Sequence, residues 1–117
     1  MIKLLKSNTV QIATGTIVAS DSYTSDAYDV TSLDGFFSLQ WTVTGDGTLT
    51  IEVLVSNDGE VFNDIDADIT TGQLKTSGIS GTNMAAIDPT TCNFIKLKFT
   101  ETSTTDSISV TARLKGM

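Results

Sequence analysis

The sequence predicts an all-β protein, an antiparallel β-sandwich of jelly-roll type with about eight strands. Three observations carry that expectation. The hydrophobic period is two along most of the chain, no stretch of ten or more residues shows the three-and-four spacing of an amphipathic helix, and 20 threonines favour extended backbone. Short apolar runs separated by Gly, Asn, Asp and Ser turns then argue for two packed sheets, because one open sheet leaves an apolar face in water. At 117 residues the chain suits a single domain with a real core. Residues 1–8 read as an N-terminal arm or edge segment and residues 9–117 as the sandwich.

In chain order, "MIKLLKS" places apolar Ile2, Leu4 and Leu5 ahead of the first clear strand. Two readings stand: an edge strand of the same sandwich, or an arm docked on a neighbouring subunit, where apolar burial offsets the entropy of ordering it. "TVQIATGTIVAS" reads as a strand with a bulge at Gly15, and "AYDVTSL" as another. In "FFSLQWTVT", Phe37, Leu39, Trp41 and Val43 point one way and Ser38, Gln40, Thr42 and Thr44 the other. "TLTIEVLVS" repeats this with Leu49, Ile51, Val53 and Val55 inward and Leu54 as the exception. The intervening "TGDGT" is a hairpin turn signal, since Gly45, Asp46 and Gly47 accept positive φ. "EVFNDI" and "NMAAID" are weaker strands, and "TTGQLKTSGISGTN", residues 70–83, reads as a long surface loop.

Near the C-terminus "NFIKLKFT" turns Ile95, Leu97 and Phe99 inward, with Lys96 and Lys98 outward. "SISVTARLK" turns Ile108, Val110, Ala112 and Leu114 inward, with Arg113 and Lys115 outward. Paired as a second hairpin across "ETSTTDS", these strands would put Lys96, Lys98, Arg113 and Lys115 on one outer face. Like charges across a ladder repel, so an acidic strand or partner is expected over them.

Composition narrows the chemistry. With no histidine the chain lacks the commonest general base and the usual zinc ligand, and with one cysteine, Cys92, it has no internal disulfide. Cys92 reads as a small, partly buried apolar residue. No apolar run approaches the ~18 residues of a membrane helix. A net charge of −7 and a pI near 4.2 disfavour nucleic acid and anionic membranes as partners. The charge is uneven: residues 1–90 hold twelve acids and three bases, residues 91–117 two acids and four bases.

The stretch "VSNDGEVFNDID", Val55 to Asp66, invites a metal reading. Asp64, Asp66 and Asp68 have D-x-D-x-D spacing, but Ile69 stands where a calcium loop needs glycine and Lys75 where it needs glutamate. A solvated acidic loop after an "NDG" turn is the better reading; a looser calcium site joining Asp58 or Asp64 to a neighbouring loop is the alternative. No pair of carboxylates is singled out for glycoside cleavage, and Trp41 alternates inward as a core aromatic. The glycines form no phosphate loop. The expectation is a protein that is not an enzyme and uses no cofactor or metal.

Taken together, "YDVTSLDGFFSLQWTVTGDGTLTIEVLVSNDGEVFNDI" and "FIKLKFTETSTTDSISVTARLKG" resemble small bacteriophage virion β-sandwich proteins: capsid decoration (auxiliary or cement) proteins, and the β-domains of head fibres and tails. The shared elements are a "DGF" strand entry, an alternating strand, a short glycine turn, a "VSNDG" plus aromatic step, an "F-I-K-L" strand and a final hairpin closing near "LKG". The "SNDG" step is similar to turns of carbohydrate-binding sandwiches as well. The resemblance implies a structural protein of the virion, made in the host cytoplasm, that binds the major capsid protein on the outer shell and stabilises the head. A self-contained homo-oligomer is expected, a trimer around a capsid symmetry axis. The protein-interface residues would be Ile2, Leu4 and Leu5 of the arm, with Lys96, Lys98, Arg113 and Lys115. The alternative is a tail or fibre module that binds host carbohydrate through loops at 57–63 and 70–83, with Trp41 or Tyr23.

Overall fold

The computed structural model describes residues 2–5, 9–33, 37–64, 73–77, 81–87, 92–103 and 105–116. Among them lie eleven strand segments: β1 (Ile2–Leu4), β2 (Thr9–Ile17), β3 (Ser22–Thr24), β4 (Ala27–Asp29), β5 (Phe37–Gly45), β6 (Thr48–Ser56), β7 (Asn63–Asp64), β8 (Gln73–Ser77), β9 (Gly81–Ile87), β10 (Phe94–Glu101) and β11 (Ile108–Gly116). One sheet runs β1-β4-β10-β6-β7, with β3 also on β10 and β8 also on β6; the other runs β2-β11-β5-β9. Because β3 and β4 share one edge of β10, and β7 and β8 one edge of β6, each sheet has four strand tracks, and β1 extends the first. The all-β sandwich with about eight strands holds. All pairings are antiparallel except the short β1–β4 ladder.

Both hairpins expected from the sequence are absent. β5 pairs with β11 and β9, whereas β6 pairs with β10, β7 and β8, so the Gly45–Thr48 turn carries the chain from one sheet to the other. The 102–107 connection does the same between β10 and β11. Alternation in the two flanking strands is the same whether they pair side by side or face each other across the core. What differs is the closure of the layers, and crossing lets β10 and β6 cover β11 and β5 on both inner faces. The 70–83 stretch is also corrected: Gln73–Ser77 pairs with β6, and β9, from Gly81, pairs with β5. Its Thr and Ser content conceals β8, while β9 is the strand expected at "NMAAID", begun two residues earlier.

The inward residues form one core. Leu39, Trp41 and Val43 of β5, Leu49, Ile51 and Val53 of β6, Ile95, Leu97 and Phe99 of β10, and Val110, Ala112 and Leu114 of β11 are all buried. Each large aliphatic side chain so buried contributes roughly 1.5–3 kcal/mol. On β2 the bulge lies at Ile12 and not at Gly15: Ala112 faces Ala13 but Arg113 faces Gln11, which leaves Ile12 as the extra residue. The register shift lets adjacent Ile12 and Ala13 both be buried. Between β3 and β4, Ser25 bridges the break in the ladder, its N–H donating to Leu97 O at 2.9 Å and its Oγ accepting from Leu97 N–H at 3.0 Å.

The end of the sandwich where both crossings occur is organised by Glu101, which continues the inward series of β10 and has no solvent exposure. Its Oε2 accepts the Thr48 N–H at 2.6 Å and its Oε1 the Ser20 N–H at 3.2 Å. Burial pushes this carboxyl up, but the Thr48 N–H, the Ser103 hydroxyl and N–H, and the Ser20 N–H outweigh it and hold it below the usual glutamate value. Gly47 is required beneath it, because a Cβ there would meet the Glu101 carboxylate.

Candidate functional site

The two-sheet topology divides the residues expected to form one basic patch. Lys96 and Lys98 lie on the outer face of the sheet containing β10, and Arg113 and Lys115 on the outer face of the opposite sheet. The four share no face. Lys96 Nζ sits 4.1 Å from the centroid of the Phe62 ring, and Lys98 stands directly across the ladder from Glu52. The acidic neighbour expected over the lysines is thus found within the chain, as Glu52.

Arg113 and Lys115 have a different setting. On the outer face of β2, β11 and β5 the register lines up four cross-strand rows: Thr16, Ser109 and Thr44; Thr14, Thr111 and Thr42; Gln11, Arg113 and Gln40; Thr9, Lys115 and Ser38. Each row follows from the alternation that sends the apolar partners inward. Thr16 Oγ1 and Ser109 Oγ lie 3.2 Å apart, so in that row one hydroxyl bonds its neighbour across the strands. No carboxylate occurs in these rows, and the two cations stand side by side at one end. There Thr9, Ser38, Gln40, Arg113 and Lys115 surround a shallow cavity of about 120 Å³. A guanidinium fork, an ammonium and an amide around one hollow suit an incoming carboxylate.

The N-terminal residues divide in another way. Ile2–Leu4 pairs with Ala27–Asp29 of the same chain, Lys3 pairs with Asp26 at 3.0 Å, and Leu5 is fully buried against the core. Ile2 and Leu4 remain 46% and 55% exposed. In this structure the segment is an edge strand anchored by Leu5, with two apolar side chains turned outward.

The "SNDG" step resolves as a turn. Asp58 Oδ1 accepts the Glu60 and Val61 N–H groups at 2.9 and 3.0 Å and the Ser56 hydroxyl at 2.8 Å. Ser56 Oγ accepts the Gly59 N–H at 2.9 Å. These donors, the Val61 N–H first, lower the Asp58 carboxyl to about 2. A carboxylate occupied in this way is a structural acceptor, and among the described residues no group of three or more His, Cys, Asp or Glu converges to hold a metal. Asp66 and Asp68 lie outside the described residues. Trp41 is 5% exposed and belongs to the core, whereas Tyr23 is 45% exposed. Cys92 is half-buried, and burial raises its thiol.

Two features escaped sequence reasoning. The hydroxyl rows need the register of three strands, which no single stretch contains. Glu101 did leave a signal, since it follows Ile95, Leu97 and Phe99 in the inward phase, where a charge demands a polar enclosure.

No protein-family model matches the chain, and no curated protein matches it. Among solved structures the fold is similar to the PBSX exported protein XepA, with a TM-score of 0.68 at 6% identity over 93% of this chain and 36% of that one. It is also similar to the enzymatically active domain of bacteriophage CBA120 tailspike protein 4, with a TM-score of 0.65 at 9% identity over 98% of this chain and 18% of that one. The C-terminal CBM6 of LamC from Zobellia galactanivorans matches with a TM-score of 0.54 at 12% identity over 92% and 99%. The chain spans about a third of the XepA chain and under a fifth of the tailspike chain. At these identities the likeness is one of fold: a β-sandwich found both in phage proteins and in carbohydrate-binding modules.

Proposed function

We propose that this chain is a non-catalytic adhesion module of a bacteriophage virion, docking through the hydroxyl rows of β2, β11 and β5 onto an acidic protein surface, as a decoration protein on the major capsid protein. The composition of that face carries the reading. Setting Arg113 and Lys115 aside leaves fourteen acids against five bases, a net of −9, so the two cations on a carboxylate-free face oppose the charge of the rest of the chain. An acidic surface is steered toward this side and repelled by the others. Short hydroxyl side chains both donate and accept, and they lose little rotamer freedom when covered.

Area argues for several copies. Three nine-residue strands present roughly 14 by 28 Å, or about 400 Å², at ordinary strand spacing. A stable interface buries about 800 Å² per partner. One face alone therefore binds weakly, and a homo-oligomer, such as a trimer at a capsid symmetry axis, gains affinity by multivalency. The exposed Ile2 and Leu4 are candidates for the contact between copies.

The test is occupancy on empty capsids of the same phage, measured at rising salt. Arg113→Glu with Lys115→Glu is expected to weaken binding at least about tenfold and to flatten its salt dependence. Lys96→Glu with Lys98→Glu is expected to change it little. Unchanged occupancy in the first pair overturns the reading.

A further inference from the structure

We infer that the groove along the side of the sandwich, between β2 and the β3–β4 edge, binds one ring of a neutral saccharide. It borders the docking face, sharing Gln11, Thr14 and Thr16 of β2 with it, but its deciding residues, Tyr23, Asp26 and Lys3, are not in the hydroxyl rows.

The edge strands here, β3 and β4, are only three residues each and are joined through Ser25. Tyr28 is buried and Tyr23 is 45% exposed, and both line the hollow beside β2. The Tyr23 ring rests on Phe99 of the core, with centroids 6.5 Å apart and planes tilted by 31°. The ring thus has a neighbour in the core while much of it remains open to solvent. A solvent-facing aromatic surface backed by the core suits the apolar C–H face of a sugar ring.

The polar groups beside it fit the same ligand. A cavity of about 200 Å³ is lined by Lys3, Gln11, Thr14, Tyr23, Asp26 and Tyr28, with Ile12 and Ala13 at its floor. A second hollow, about 50 Å³, adjoins Tyr23 next to Gly15 and Thr16. Gly15 has φ +133°, and a Cβ there would meet nothing within 4 Å, so the glycine leaves the rim low. Together these hollows fall short of the ~300 Å³ at which enclosed small-molecule pockets begin, which suits one ring lying against a wall.

Asp26 and Lys3 are 3.0 Å apart and each about half exposed, so an acceptor and a donor of opposite charge stand side by side at the mouth. Adjacent sugar hydroxyls match that pair: one donates to the carboxylate while its neighbour accepts from the ammonium. The pair is neutral overall, which gives an ionic ligand no advantage. A nucleotide would meet the same ring, but its phosphates face a chain of net charge −7.

The test is an array of neutral hexose, N-acetylhexosamine and 6-deoxyhexose oligosaccharides with acidic glycans alongside, followed by calorimetric titration of any neutral hit. Tyr23→Ala and Asp26→Asn are each expected to lower affinity about tenfold or more, whereas Tyr23→Phe, which keeps the ring, stays within about threefold. Thermal melts of the same variants establish that they are folded. The inference is overturned by an array with no neutral hit, or by a neutral hit whose affinity survives both Tyr23→Ala and Asp26→Asn. It is overturned equally if only acidic glycans bind and Arg113→Glu with Lys115→Glu abolishes that binding. The failure of one site leaves the other untouched, because capsid occupancy reads the rows and the array reads the groove.

Discussion

Thr48 donates its backbone N–H to Oε2 of Glu101 at 2.6 Å, and that bond joins the two places where the chain crosses between sheets. Thr48 opens β6 just after the first crossing, and Glu101 closes β10 just before the second. Thr102 N–H donates back to Thr48 O at 3.0 Å, Glu101 N–H donates to Asp21 O at 2.9 Å, and Ser20 N–H donates to Glu101 Oε1 at 3.2 Å, so three connections meet around one buried carboxylate. The arrangement uses an ion as a multiple acceptor, which is favourable only while every donor stays in place.

Glutamine cannot replace that carboxylate cleanly. Glu101→Gln keeps one acceptor oxygen and turns an NH₂ toward a backbone N–H, so its melting temperature is expected to fall by several degrees, and that of Glu101→Ala by more. Calorimetry at neutral pH checks the order.

The same group sets an acid limit. Its folded value lies below the ordinary 4.5, so its stabilisation is complete above about 4.5 and is lost as pH falls through the folded value. Asp58, at 3.8 unfolded and about 2 folded, adds a second loss between those values. Melting temperature is expected to hold from neutral pH to about 5 and to drop below it. Asp58→Ala should remove the lower part of that drop, with the same melting temperature in calcium and in chelator.

The crossing turn is a point of strain. Gly45 has φ +106°, and a Cβ there would lie 2.6 Å from Ser107 O. Gly45→Ala is expected to cost about 1–3 kcal/mol or more, read from urea unfolding.

At the N-terminus, neighbouring leucines should behave oppositely. Leu5 is fully buried and Leu4 is 55% exposed, so Leu5→Ala is expected to cost about 2–5 kcal/mol and Leu4→Ala under about 0.5 kcal/mol in the isolated chain. A loss of self-association in Leu4→Ala without a change in melting temperature would assign its exposed side chain to a contact between copies.

On the outer face of the other sheet, Lys96 and Phe62 should couple by about 0.5–1 kcal/mol in a double-mutant cycle measured by urea unfolding. A null coupling would free Lys96 as a surface charge.

Much of the inner architecture was legible from residue order alone. Period-two patterning set the apolar core positions of β5, β10 and β11 and Leu49, Ile51 and Val53 of β6, because the side a residue faces depends on its place in its own strand; at the end of β6 the alternation breaks, with Ser56 buried and Val55 only partly so. It also put Arg113 and Lys115 outward, and Asp58 in a turn. It did not set which strands would be neighbours: "TGDGT" and "ETSTTDS" satisfy a hairpin and a crossing equally well, so one basic patch was expected where the molecule has two separate pairs. The choice belongs to tertiary structure, because it turns on how two apolar faces close over each other and on whether a buried carboxylate finds its donors from connections far apart in the chain. The hydroxyl rows and the tyrosine groove arise from that same closure, since each assembles residues that only the finished sandwich brings side by side.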